Sequence, residues 1–112
     1  MSKPISEPVA TLKWPEDITL KNAEAFRLEM KEWLEVEQAA LLLDLSDVSY
    51  LNSVALSIIA DSVIQARRKQ KELVIAGIQP TVQELFTIVK FDTFIKLFTE
   101  KSQACAYFAQ KK

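Results

Sequence analysis

Histidine is absent from this 112-residue chain, and glycine and cysteine occur once each, as Gly77 and Cys105. Without histidine there is no Ser–His catalytic pair, no histidine phosphotransfer and no imidazole ligand for a metal. One glycine cannot build a glycine-rich phosphate loop. One cysteine closes no internal disulfide, which agrees with a reducing, cytoplasmic setting. No apolar run approaches the ~20 residues of a membrane-spanning helix, so no membrane insertion is expected. The first nine residues hold Lys3, Glu7 and two prolines instead of an apolar core, and are not expected to act as a signal peptide. A net charge of −1 removes any general attraction to nucleic acid or anionic membranes. These absences argue against an enzyme, a cofactor and a metal site.

What remains is an ordinary globular composition, 49% apolar and 26% charged. The expectation is one domain over residues 1–112, with a core at about 9–108 and a short N-terminal arm at 1–8. Val9 to Trp14 alternates as a strand does, and Pro15-Glu16-Asp17 breaks it. Ala23, Phe26, Met30, Trp33 and Leu34 recur at helical spacing, so residues 20–36 read as a helix capped by Thr19 or Asn22. Gln38 to Leu45 is nearly all apolar, as a strand buried on both faces would be. A long helix is expected over 54–70, and a strand over 73–75 that stops at Gly77. Pro80 should open a third helix running to about Lys90. A last strand is expected over 94–98 and a short helix over 102–110, with Ala104, Tyr107 and Phe108 inward. Strands alternating with helices make this an α/β sheet domain.

The segment Leu41 to Leu56, LLLDLSDVSYLNSVAL, carries the functional question. It reads as a buried strand, a short connection, and a helix whose first turn bears a hydroxyl, Ser53. Backbone N–H groups point outward there and the helix field favours negative charge. Ser53 is therefore placed to accept a phosphate, or else Asn52 or Ser53 simply caps the helix. Asp44, inside the apolar strand, reads as a sheet-end acid bonded to a loop. Arg67, Arg68, Lys69 and Lys71 read as a solvated helix end. Phe86, Phe91, Phe94 and Phe98 read mostly as core, and Cys105 as an inert helix residue.

Three landmarks resemble the STAS domain family. The run from Leu43 to Leu56 is similar to that family's strand, loop and Asp-Ser-(Ser/Thr)-Gly-Leu helix start. Leu73 to Pro80 resembles its strand–Gly–x–x–Pro step, and Val82 to Phe86 the helix start that follows. The resemblance covers Val9 to about Phe108. It implies a STAS fold with a four- to five-stranded mixed sheet and about four helices, mainly packed on one face. It also implies a bacterial partner switch, in which an anti-sigma factor antagonist binds an anti-sigma serine kinase until that kinase phosphorylates it. Ser53 falls at the phosphoacceptor position. Asp47, Ser49, Asn52, Val54, Ala55 and Thr19 fall where the partner would dock. The family's Asp is Asn52 here, its Gly is Ala55, its second hydroxyl is Val54, and Thr19 stands where an acid is common. The ATP would come from the kinase. An alternative within the family is a constitutive subunit of a lipid-trafficking ABC transporter, docked on its ATPase, or a non-phosphorylated STAS interaction module. A weak homodimer is a further expectation for partners.

Overall fold

The computed structural model describes residues 8–110. Strands and helices alternate as β1 (Val9–Lys13), α1 (Ala23–Trp33), β2 (Ala40–Asp44), α2 (Ser53–Arg68), β3 (Glu72–Ala76), α3 (Pro80–Ile88), β4 (Leu97–Phe98) and α4 (Lys101–Gln110). A single 3-10 turn, Phe91–Thr93, precedes β4. The four strands form one sheet in the order β1-β2-β3-β4, and each neighbouring pair is parallel. The register places Leu12, Leu43, Ile75 and Leu97 in one row across it. Four strands and four helices agree with the expected fold. The antiparallel member that a mixed sheet requires is not among the described residues. The physical reason is the connectivity: each described strand is reached through a helical segment, which returns the chain in the direction it came.

Side chains along a strand alternate between faces, so β2 and β3 split their residues between two cores. Leu41, Leu43 and Leu45 of β2 and the residue after it, with Leu73 and Ile75 of β3, meet Phe26 and Met30 of α1, Ile59 and Val63 of α2, and Val82 and Phe86 of α3. Leu42, Val74 and Ala76 face the other way, onto Ala104 of α4, with Phe98, Tyr107 and Phe108 at the margin. Among the described residues, three helices thus cover one face and α4 alone the other, as expected. This two-sided burial explains why the β2 segment is apolar without alternation.

Local chemistry sets the element ends. Pro80 occupies the first turn of α3, where its missing N–H costs nothing. Gln70 and Lys90 take the left-handed conformation (φ 64° and 67°) just past α2 and α3, and Gly77 does so (φ 70°) just past β3. The last strand is two residues long, not the five expected. The aromatic residues before it pack edge-on instead of extending, with Phe86–Phe91 and Phe91–Phe94 ring centroids 6.0 and 5.3 Å apart.

Candidate functional site

In a parallel sheet all the strand-to-helix loops leave from one edge, and binding surfaces collect there. Here three such loops are tied together. The loop after β1 runs beside the loop after β2 through a parallel bridge between Ile18 and Leu51. Its bonds are Ile18 N–H to the Tyr50 carbonyl (3.0 Å) and Asn52 N–H to the Ile18 carbonyl (3.1 Å). The Asp17 carboxylate reinforces this bridge. It accepts from the Ser49 amide at 2.7 Å, the Tyr50 amide at 3.2 Å and the Ser49 hydroxyl at 3.1 Å. The Ser49 amide, above all, holds the Asp17 pKa below its ordinary 3.8, with the Ser49 hydroxyl and the Tyr50 amide adding to it. The third loop joins through Gln79, whose Nε2 donates to the Ser46 carbonyl (2.9 Å), and Thr81, whose hydroxyl reaches the Ser49 carbonyl (3.4 Å).

Close approach explains the only glycine. A Cβ on Gly77 would lie 3.0 Å from Ser46 Cβ and 3.1 Å from Asp44 Oδ1. The same Asp44 oxygen accepts from the Ser46 amide at 2.9 Å, so this buried acid is the loop anchor expected of it.

Ser53 is the first residue of α2, and the cap lies one residue earlier. Asn52 has extended backbone angles and its side-chain oxygen accepts from the Ala55 amide at 2.8 Å. Of the two residues offered as caps, Asn52 is therefore the one used. The Ser53 side chain is exposed and its hydroxyl has no hydrogen-bond partner among the described residues. The amides of Ser53 and Val54 likewise have no acceptor, and the first turn of α2 holds no acid. An unengaged hydroxyl thus stands beside free N–H donors at the positive end of a 16-residue helix.

The other sequence-derived candidates divide. Thr19, Asp47, Ser49, Asn52 and Val54 all lie on this edge and retain some exposure. Asp47 sits 3.6 Å from Lys13 in a solvent-exposed ion pair, which contributes little to stability. Ala55 does not belong with them: it is fully buried in the main core, so its methyl points inward and adds no bulk where a partner would approach. Asn22 does not cap α1 with its side chain. It reaches back, accepting from the Thr19 amide (2.9 Å) and donating to the Asp17 carbonyl (2.8 Å).

Three residues of this edge escaped the sequence reading. Asp17 looked like part of a strand-breaking Pro-Glu-Asp turn, and its partners lie 32 and 33 residues away. Leu20 and Tyr50 are 84% and 50% exposed, and with Val54 (36%) they add apolar surface to this edge. No local signal marked Leu20, which lies three residues before Ala23 and so keeps the helical spacing. Elsewhere the cationic group is partly structural. The Lys71 ammonium donates to the Val36 and Gln38 carbonyls, Arg67 to the Phe94 carbonyl, and Lys69 pairs with Glu35 at 3.2 Å. Phe86 is fully buried, and Phe91, Phe94 and Phe98 are half-buried. A cavity of about 690 Å³ lies at the opposite end of the sheet, between β1, β2 and α4, away from Ser53.

Comparison with known proteins places this architecture. A family model described as "STAS domain" matches residues 1–104. The chain is 29% identical over 87 residues to BtrV of Bordetella bronchiseptica, whose name marks it as a candidate anti-sigma factor antagonist; the match spans 78% of this chain and 75% of that protein. It is 33% identical over 73 residues to the anti-sigma-B factor antagonist of Listeria monocytogenes, spanning 62% of this chain and 64% of the relative. An anti-sigma factor antagonist from Mycobacterium paratuberculosis superposes with a TM-score of 0.81 at 20% identity, over 93% of this chain and 88% of the other. A sulfate transporter family protein from Wolinella succinogenes superposes with a TM-score of 0.78 at 14% identity, over 94% and 88%.

Proposed function

The chain belongs to the STAS domain family, and on that premise we propose that it is a protein-interaction switch of the anti-sigma antagonist type, controlled by phosphorylation of Ser53. The observation that carries this reading is the state of Ser53: exposed, without a hydrogen-bond partner among the described residues, and relieved of capping by Asn52. The kinship with proteins named as anti-sigma factor antagonists supports it. The partner in this reading is an anti-sigma serine kinase that supplies ATP. The Ser53 hydroxyl gives up its proton and bonds to the γ-phosphorus of ATP as the bond to ADP breaks. The unmodified chain docks through the edge formed by Thr19, Asp47, Ser49, Asn52, Ser53 and Val54, with Leu20 and Tyr50 adding apolar contact. A phosphate on Ser53 adds about −1.5 to −2 charge. The free amides and the helix field accommodate it within this chain. The partner, seated on apolar groups of the same edge, would have to desolvate it, and so lets go.

An affinity pull-down from the host's cells with wild type, Ser53→Ala and Ser53→Asp tests this. Capture of a serine kinase of the anti-sigma type by wild type and Ser53→Ala, but not by Ser53→Asp, is the expected result. A transporter ATPase retained by all three would replace the switch with a constitutive subunit.

A further inference from the structure

Ser49 and Ser53 present two exposed serines on the same edge, four residues apart. They differ in what holds them. The Ser49 hydroxyl lies 3.1 Å from each oxygen of the Asp17 carboxylate, while the Ser53 hydroxyl has no partner among the described residues. We propose that Asp17 decides which of these two serines can carry a phosphoryl group, holding Ser49 out of reaction and leaving Ser53 open. The proposal rests on the reading of this edge as a phosphorylation target, and makes Asp17 a specificity-determining residue for that modification.

The chemistry follows from the contacts. Transfer to Ser49 would need its hydroxyl to leave Asp17, lose its proton and bond to the γ-phosphorus of ATP as ADP departs. The phosphoryl oxygens would then replace the hydroxyl proton beside a carboxylate, setting like charges in contact. The modified side chain would have to swing away. That motion also disturbs the Ser49 and Tyr50 amides, since all three donors share the same carboxylate. Asp17 is no help as a base for Ser49, because its own amide contacts hold its pKa low. At Ser53 the surroundings are reversed. Its own helix turn offers the unengaged amides of Ser53 and Val54 and holds no acid, so the same charge meets donors and the helix field. A neutral Asn at 17 would keep an oxygen for the amides and remove the repulsion.

Chains carrying phosphoserine installed during translation at 49 or at 53, each with Asp17 and with Asp17→Asn, test this without a kinase. Amide exchange by NMR and thermal melting are the readouts. Phosphoserine at 53 is expected to leave the Ser49 and Tyr50 amides protected and the melting temperature within about 2 °C of the unmodified chain. Phosphoserine at 49 is expected to expose both amides and lower the melting temperature by about 4–8 °C. In Asp17→Asn that difference between the two sites should shrink by at least half. A phosphoserine-49 chain that keeps both protected amides and its melting temperature overturns the proposal, as does an equal loss at both sites. Should Asp17→Asn not fold, Asp17→Ser takes its place, keeping an acceptor oxygen without the charge. Failure of the kinase pull-down would remove the switch reading and leave this result standing.

Discussion

At the scale of single residues, the division of labour between Asn52 and Ser53 is directly measurable. Asn52→Ala removes the bond to the Ala55 amide and is expected to destabilise the fold by about 1 kcal/mol in urea denaturation. Ser53→Ala, at an exposed residue with no partner among the described residues, should stay within about 0.5 kcal/mol of wild type. An equal loss for both would mean that the hydroxyl has a structural part after all. Asp17 makes a second prediction. Its folded pKa lies below 3.8, so its contribution is fully present above about pH 4 and is lost as pH falls through the lowered folded value. Protection of the Ser49 and Tyr50 amides should therefore hold constant from neutral pH to about 4 and decline only below it; a decline centred near pH 6 would contradict this assignment. The Asn52-Ser53 step was legible in the sequence because helix starts have local chemistry. Asp17 was not, because its meaning comes from amides more than thirty residues away.

At the scale of elements, the turn after β3 is the tightest joint of the site. Ala at position 77 would adopt a left-handed conformation and crowd Ser46 and Asp44 at 3.0 and 3.1 Å. Gly77→Ala should therefore cost about 2 kcal/mol or more, read as a shifted denaturation midpoint with unchanged slope. The loop after β1 offers the opposite case. Leu20 is 84% exposed, so Leu20→Ser should leave stability within about 0.5 kcal/mol yet weaken partner capture tenfold or more; unchanged capture would remove Leu20 from the docking surface. Helices and central strands were readable in sequence because periodicity and caps are local: Pro80 opens α3 as expected, and the apolar β2 run is a strand buried on both faces. The end of the sheet was harder. Phe91, Phe94, Leu97 and Phe98 look like strand formers, but the Phe91 ring packs on Phe86 and Phe94, and only Leu97 and Phe98 extend. Which apolar residues face water was also illegible: Leu20 and Ile88 are chemically core residues, and only the tertiary arrangement leaves them out.

At the scale of the whole molecule, sheet order equals chain order, so each strand pairs with the strand just before it in sequence. Three helices then seal one face in turn, while the other face waits for α4. Removing α4 by ending the chain after Glu100 should uncover Leu42, Val74 and Ala76, raise the binding of a hydrophobic dye, and lower solubility, with the secondary structure of the remainder largely kept. A truncated chain that binds no more dye than the full one would show that the second face needs no cover. During synthesis on the ribosome the same arrangement has a direction. β1, β2 and β3 can dock one upon another as they leave the exit tunnel, each beside its predecessor, at about 5–20 residues per second. The helix that shields the far side emerges only after all three. For the seconds between the appearance of Ala76 and that of Tyr107, a nascent chain carries a bare strip of Leu and Val that any chaperone, or any neighbouring polysome, can reach.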